Sequence, residues 1–321
     1  MLIFSLDIGG SSIKYAVLET EGYSATILQH EQPIQLISLS FDDLKAQVVE
    51  IVNSALSNNH FIKSVAISTT GGVDESGVVI NAGHFQGYSN ISWDEILKKS
   101  NGKIENVFVV NDGKASCWAE YSSINKKIHC FVHFVVGTGI GGSIIIDDKI
   151  FTGDSNYAGY LGHVKITEEI TPQCSCGNYG CVETLASAQA IIRYYDSNNS
   201  NEKNDNSSLR DIIVMADNGN EEAINALKFT GKKLGIAIGN IMNILNPAII
   251  TIGGGVVIAA DEIGKKGENI YVDAAIATAM EKAHKRVAAT TKIQRAKLGN
   301  NGGLIGAAIL AVRFINKMKV Y

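Results

Sequence analysis

The chain has 321 residues, 45% of them hydrophobic and 19% charged, with a formal net charge of -4. This length exceeds what a single hydrophobic core usually supports, so two domains are expected, and the charge balance excludes a general attraction for nucleic acid or anionic membrane. No stretch reaches the ~18 apolar residues of a membrane span, and Asp7 interrupts "MLIFSLDIGG" too early for a signal peptide, so the expectation is a cytoplasmic protein with no membrane partner.

In chain order, "MLIFSLDIGG" and "IKYAVLET" read as two strands around a glycine turn. "FDDLKAQVVEIVNSALS" carries Leu44, Val48, Ile51 and Ala55 at helical spacing. "IKSVAIST" predicts a buried strand, and "NVFVV" another that stops at Asn111 and Asp112 before the helical "GKASCWAEYSS". "CFVHFVVGTGIGGSIIIDDKI" predicts strand, glycine turn, strand and a tight bend. The polar stretch from Asp196 to Ser208 predicts a mobile surface loop. A long helix follows in "EEAINALKFTGKKLGIAIGNIMNILN", then a strand into a glycine turn in "PAIITIGGG", and a closing helix in "GLIGAAILAVRFINKM". Hairpins mixed with crossovers make this an α/β chain.

"FSLDIGGSSIKYAVL" and "HFVVGTGIGGSIII" share one plan, strand, glycine reversal, strand, early in each half. Such turns let backbone N–H groups approach phosphate oxygens, although ordinary β-hairpins look the same. Gly137, Gly139 and Gly142 spell G-x-G-x-x-G, but that fingerprint opens a helix, and "SIIIDDKI" is strand-like. No G-x-x-x-x-G-K-[ST] occurs. Asp112, at the end of a strand, could take a hydroxyl proton as general base or cap the next helix. Asp7 could position Mg2+ through water or be a solvated turn residue. Three of the five cysteines fall within "CSCGNYGC". An odd count in a cytosolic setting disfavours disulfides, leaving a redox pair, a metal site or core packing open.

Taken together, "DIGGSSIKYAVL", "VVNDGKASCWAE", "VVGTGIGGSIII", "AGYLGH", "CSCGNYGCVE" and "IITIGGG" resemble the ROK sugar kinases, in that family's order and over residues 2 to about 310. The resemblance implies two actin-like (ribonuclease H-like) α/β domains with an interdomain active-site cleft. One would span 1–115, with a C-terminal helix of about 306–321 returning to it, and the other 116–305 with a zinc-binding loop. It implies ATP- and Mg2+-dependent phosphorylation of the primary (6-position) hydroxyl of a hexose or hexose derivative, by a homodimer whose partner is the small-molecule sugar. Asp7, Gly9, Gly10 and Ser11, with Lys14 beside them, match the first phosphate and Mg2+ loop. Thr138 and Gly139 match the second loop, and Gly253, Gly254 and Gly255 the adenosine-side turn. Gly72, Asn111 and Asp112 match the sugar-holding positions, with Asp112 as the base. Positioning, Mg2+ and one placed base suffice for phosphoryl transfer. His163, Cys174, Cys176 and Cys181 match the ligands of a structural Zn2+, closed because no position remains for water. His163 and Glu183 match sugar-hydroxyl contacts, while Cys117 and Cys130 are expected in the core.

The departures from the family pattern fall on the sugar side. E-x-G-H reads "YLGH", putting Tyr160 in place of a sugar-binding Glu; P-G-x-x-D reads "TGGVD" with Thr70 for Pro; and His84 stands near a common Asn. Glucose, N-acetylmannosamine or another amino sugar, fructose and β-glucosides all remain open, and the aromatic Tyr160 favours a substituted sugar. The alternatives are a sugar-sensing ROK-type regulator and a catalytically idle sugar-binding protein. Family repressors carry a helix-turn-helix ahead of the first glycine loop, so the position of Asp7 and the retention of Asp112 favour the kinase.

Overall fold

The computed structural model describes residues 1–10, 12–22, 24–36, 40–82, 85–124, 126–198, 207–264 and 268–318; Ser11 and His84 lie outside the described residues. The chain divides into two compact units. The first joins Met1–Lys126, Thr152–Ala158 and the chain from Asn301 on, and the second joins Lys127–Phe151 and Gly159–Asn300.

The first unit holds β1 (Leu2–Ile8), β2 (Ser12–Glu21), β3 (Ser24–His30), β4 (Ile34–Gln35), α1 (Phe41–Asn58), β5 (Ser64–Thr69), β6 (Gly72–Val73), β7 (Val78–Asn81), β8 (Ser89–Ser92), α2 (Trp93–Ser100), β9 (Asn106–Asn111) and α3 (Asp112–Ser122). Its main sheet runs β3-β2-β1-β5-β9, with β1 and β2 antiparallel and β1, β5 and β9 parallel. The two-residue period of a strand sorts β1 onto two faces. Phe4, Leu6 and Ile8 enter a core with Leu44 and Val48 of α1 and Trp93 of α2. Ile3 enters a second core, with Leu304, Ala307, Ala308 and Ala311 of the closing helix, Gly302–Met318. Asp7 shares the Ile3 face by the same alternation. So do Ala66 and Ser68 of β5, whose small side chains admit the helix closely, and Ser5 Oγ donates to Leu304 O at 2.8 Å.

The second unit holds β10 (Cys130–Val136), β11 (Ile140–Ile146), β12 (Lys149–Ile150), α4 (Glu183–Ala186), α5 (Ala188–Asn198), α6 (Leu209–Asp217), α7 (Glu221–Leu245), β13 (Ile249–Gly253), α8 (Gly255–Ile263), α9 (Ile270–Lys282), α10 (Lys285–Ala288) and β14 (Lys292–Arg295). Numbering continues to α11, the closing helix Gly302–Met318 of the first unit. The sheet order is β12-β11-β10-β13-β14, with β10 and β11 antiparallel and β10, β13 and β14 parallel. That is the plan of β2-β1-β5-β9 repeated, as the two similar glycine hairpins anticipate. Helix α7 lies close against α9 because a Cβ at Gly235 would stand 2.5 Å from Ala275 O.

Two boundaries differ from expectation. A break after residue 115 falls inside α3, whereas the first unit continues to Lys126 and also takes in Thr152–Ala158. The reason is packing: Gly306 of α11 rests on the backbone carbonyl of Ala115, which binds α3 to the first unit. In the polar stretch 196–208, α5 extends to Asn198 and Ser208 caps α6, while 199–206 lie outside the described residues. Among the described residues no helix is long and apolar enough to cross a membrane.

Candidate active site and metal centre

The parallel strands of the first unit end together at Ile8, Thr69 and Asn111, with Asp7 one residue before its strand's end, at the edge of an α/β sheet where ligands bind. The register sets Lys14, Asp7 and Ser68 side by side on β2, β1 and β5. Ser68 Oγ donates to Asp7 Oδ1 at 2.7 Å, and Lys14 Nζ stands 3.8 Å from Oδ2. Gly303, in the first turn of α11, faces this carboxylate so closely that a Cβ would collide with it. Burial pushes the Asp7 pKa up, against the opposing pull of the Lys14 ammonium and the Ser68 hydroxyl. Gly9 N donates to Ser12 O at 3.0 Å to close the β1–β2 turn, and Gly10 has open space where a Cβ would stand.

Helix α3 begins at Asp112, but its cap is Asn111, whose Oδ1 accepts from Lys114 N at 3.2 Å. Asp112 is therefore released from capping. Its Oδ1 accepts from Gly113 N at 2.8 Å and from Asn111 Nδ2 at 2.9 Å, and no other described residue donates to Oδ2. Burial, with the nearby Asp7 charge second, raises the Asp112 pKa to about 6. Asn111 Nδ2 also donates to Gly71 O at 2.9 Å, tying the loop that carries Gly72 to the same point. Lys114 Nζ donates to Asn156 O and Oδ1 at 2.8 and 2.9 Å, and Asn156 Nδ2 donates to Val73 O at 2.7 Å. Sequence reasoning missed Ser68, Lys114, Asn156 and Gly303. Only Ser68 left a signal, as a polar residue in the fully buried strand "SVAIST".

In the second unit the β10–β11 reversal is a hairpin turn, as its strand-like continuation implies, closed by Gly137 N donating to Gly139 O at 2.9 Å. Thr138 is exposed at its tip. Glu183 lies against Gly139, and its Oε2 accepts from Ile140 N at 2.8 Å. At the end of β13, Gly254 takes φ 96° and passes so close to β10 that a Cβ would stand 2.5 Å from Val136 O. Gly255 then opens α8.

His163, Cys174, Cys176 and Cys181 come together with one ligand atom from each within 4.8 Å of the others. Cys174 Sγ is 3.3 Å from His163 Nδ1, and the Cys176 and Cys181 sulfurs are 3.7 Å apart. A tetrahedral metal with metal–sulfur bonds of about 2.3 Å sets its sulfurs about 3.8 Å apart, so the donors fit a zinc-type site in number, type and spacing. Positive φ at Gly177 and Gly180, 86° and 79°, turns the loop back between the cysteines. Burial pushes the Cys181 thiol up to about 12 and Cys174 upward, while the Asn178 N–H draws Cys176 down. A bound cation would reverse the first two shifts. The Tyr160 ring stacks on that of His163, centroids 5.7 Å apart and planes at 27°. Cys117 and Cys130 are buried, as expected of core residues.

The ROK family model matches residues 3–313. The chain belongs to the ROK family. It is 28% identical over 332 residues to a glucokinase of Halalkalibacterium halodurans, covering 98% of this chain and 96% of that protein. It is 26% identical to an N-acetylmannosamine kinase of Escherichia coli, over 96% of this chain and 98% of that protein. A solved ROK family glucokinase from Streptomyces griseus, in complex with glucose and AMPPNP, superposes with a TM-score of 0.78 at 23% identity, covering 98% of this chain and 100% of that one. The ROK chain thus has the actin-like fold of sugar kinases.

Proposed function

We propose that this ROK chain transfers the γ-phosphoryl group of ATP to the 6-hydroxyl of a hexose or hexose derivative, with Asp112 as general base. The observation that carries the reading is the state of the Asp112 carboxylate. One oxygen is held by two N–H donors, the other has no donor among the described residues, and burial raises the pKa to about 6. Such a group is mostly ionised at neutral pH yet basic enough to take a hydroxyl proton. As the proton passes to Asp112, the sugar oxygen bonds to the γ-phosphorus and the bond to the bridging oxygen breaks, releasing ADP. Mg2+ supplies charge neutralisation on the phosphates when bound. Asp7, Gly9, Gly10, Ser11 and Lys14 serve that end, and Thr138, Gly139, Gly254 and Gly255 the nucleotide. Zn2+ at His163, Cys174, Cys176 and Cys181 would fix the loop between them without entering the chemistry. Gly72, Asn111, Tyr160, His163 and Glu183 match the family's sugar-holding positions, and Tyr160 in place of a carboxylate favours a substituted hexose.

A coupled ADP-release assay with Mg-ATP over free hexoses, N-acylated hexoses and β-glucosides tests the proposal. ADP release dependent on one of these sugars is expected. Sugar binding without ADP release would point instead to a sensing or idle sugar-binding protein.

A further inference from the structure

The two oxygens of Glu183 face different parts of the second unit. Oε2 takes the N–H of Ile140, immediately after the Gly137–Gly139 turn, and lies against Gly139. Oε1 accepts from Ser175 Oγ at 3.3 Å and stands 3.7 Å from Cys174 Sγ. Ser175 sits between two of the clustered cysteines, and Glu183 follows a third by two residues. The turn is gripped from the same stretch at its other end, where Ala188 N donates to Gly137 O at 2.9 Å. Gly162, the neighbour of His163, presses on the Ile140 carbonyl. The segments of His163 and Cys181 therefore reach the turn directly, and that of Cys174 and Cys176 reaches it through Glu183.

We propose that Glu183 is a positioning residue that couples occupancy of the His163, Cys174, Cys176 and Cys181 site to the shape of the Gly137–Ile140 turn, and so to nucleotide affinity. This rests on the reading of that turn as a phosphate loop. A metal that pins the loop orders Ser175 and holds Oε1, which leaves Oε2 fixed under the turn. Binding energy at such a site is folding energy of the loop, and a nucleotide meeting an already ordered turn has less ordering left to do. Linkage makes the effect reciprocal: a nucleotide that selects the ordered turn tightens the hold on the metal by the same factor.

The test is competition for zinc between the full chain and a chromogenic chelator, with and without saturating AMPPNP, alongside direct titration of AMPPNP. In the wild type the nucleotide should raise zinc affinity about tenfold, within the usual range of such couplings. Glu183→Ala should weaken AMPPNP binding about tenfold and abolish the effect of nucleotide on zinc, and Ser175→Ala should reduce that effect if the first variant does not fold. Equal zinc affinity with and without bound AMPPNP in the wild type, or undiminished coupling in either folded variant, overturns the proposal. Failure of the wild type to bind AMPPNP overturns the phosphate-loop reading and the coupling with it. Failure to bind zinc overturns the coupling alone.

Discussion

An asparagine at position 112 can keep both hydrogen bonds that Oδ1 receives, from Gly113 N and Asn111 Nδ2, while placing an amide where the proton would go. Asp112→Asn should therefore cut turnover ~100-fold or more and leave sugar affinity within about tenfold, measured by steady-state kinetics and sugar titration. In the wild type, kcat/KM should rise about tenfold per pH unit below pH 6 and level off above it, since the base must lose its proton and its pKa is about 6. The same shift acts on stability. The folded pKa is raised above the ordinary 3.8, so the native state holds the extra proton between about pH 4 and 6, and stability falls as pH rises through that window. The asparagine variant should then melt higher than wild type at pH 8 and equally at pH 4 in calorimetry. Tyr160 carries the specificity prediction. Tyr160→Glu should shift preference toward free glucose over a substituted hexose by ~1–3 kcal/mol in relative kcat/KM, and an unchanged ratio would remove Tyr160 from the sugar side.

Among the elements, α11 and β1 make the closest demand on each other. Gly303→Ala puts a methyl group into the Asp7 carboxylate, so Asp7 must turn away from Ser68 Oγ. Glycine to alanine in an ordinary helix interior stabilises by about 1 kcal/mol. Here the expected outcome is a higher Mg2+ concentration for half-maximal turnover and turnover reduced about tenfold, with sugar affinity unchanged. Normal Mg2+ dependence would show that Asp7 tolerates the displacement. Long elements with a clear apolar period, β1, β5, β9, β10, β13, α1, α7 and α11, are legible in the sequence because burial imposes the period. The strands β6 to β8, at two to four residues, are too short to show one. Nor could the sequence show that Asn111, rather than Asp112, caps α3, since both residue types cap well and only the fold directs one to the helix. The meeting of Gly303 with Asp7, or of Lys114 with Asn156, depends on sheet register and chain return, which no local pattern encodes.

For the molecule as a whole, the metal site offers the broadest test. Protein purified without added zinc should contain about one zinc per chain by elemental analysis. Cys176→Ser should lower both occupancy and melting temperature, because metal binding at such a site contributes folding free energy. Unchanged melting with no metal would return the three cysteines to ordinary packing. The three cysteines stood out because they are rare and close in sequence, but His163 joined them only through the family resemblance, and the first unit's composition from three separated stretches was only partly legible. That composition bears on how the protein is made. Residues 1–126 leave the ribosome first, but the face of their sheet formed by Ile3, Leu18, Ala66 and Val110 is covered by α11, Gly302–Met318, synthesised after the entire second unit. At about 5–20 residues per second, that apolar face waits roughly 10–35 s for its cover. Nascent chains arrested in this interval should associate with one another or with holding chaperones, detectable by sedimentation of the stalled complexes. Translation that ends before residue 302 would yield an aggregating product, not a partly active enzyme.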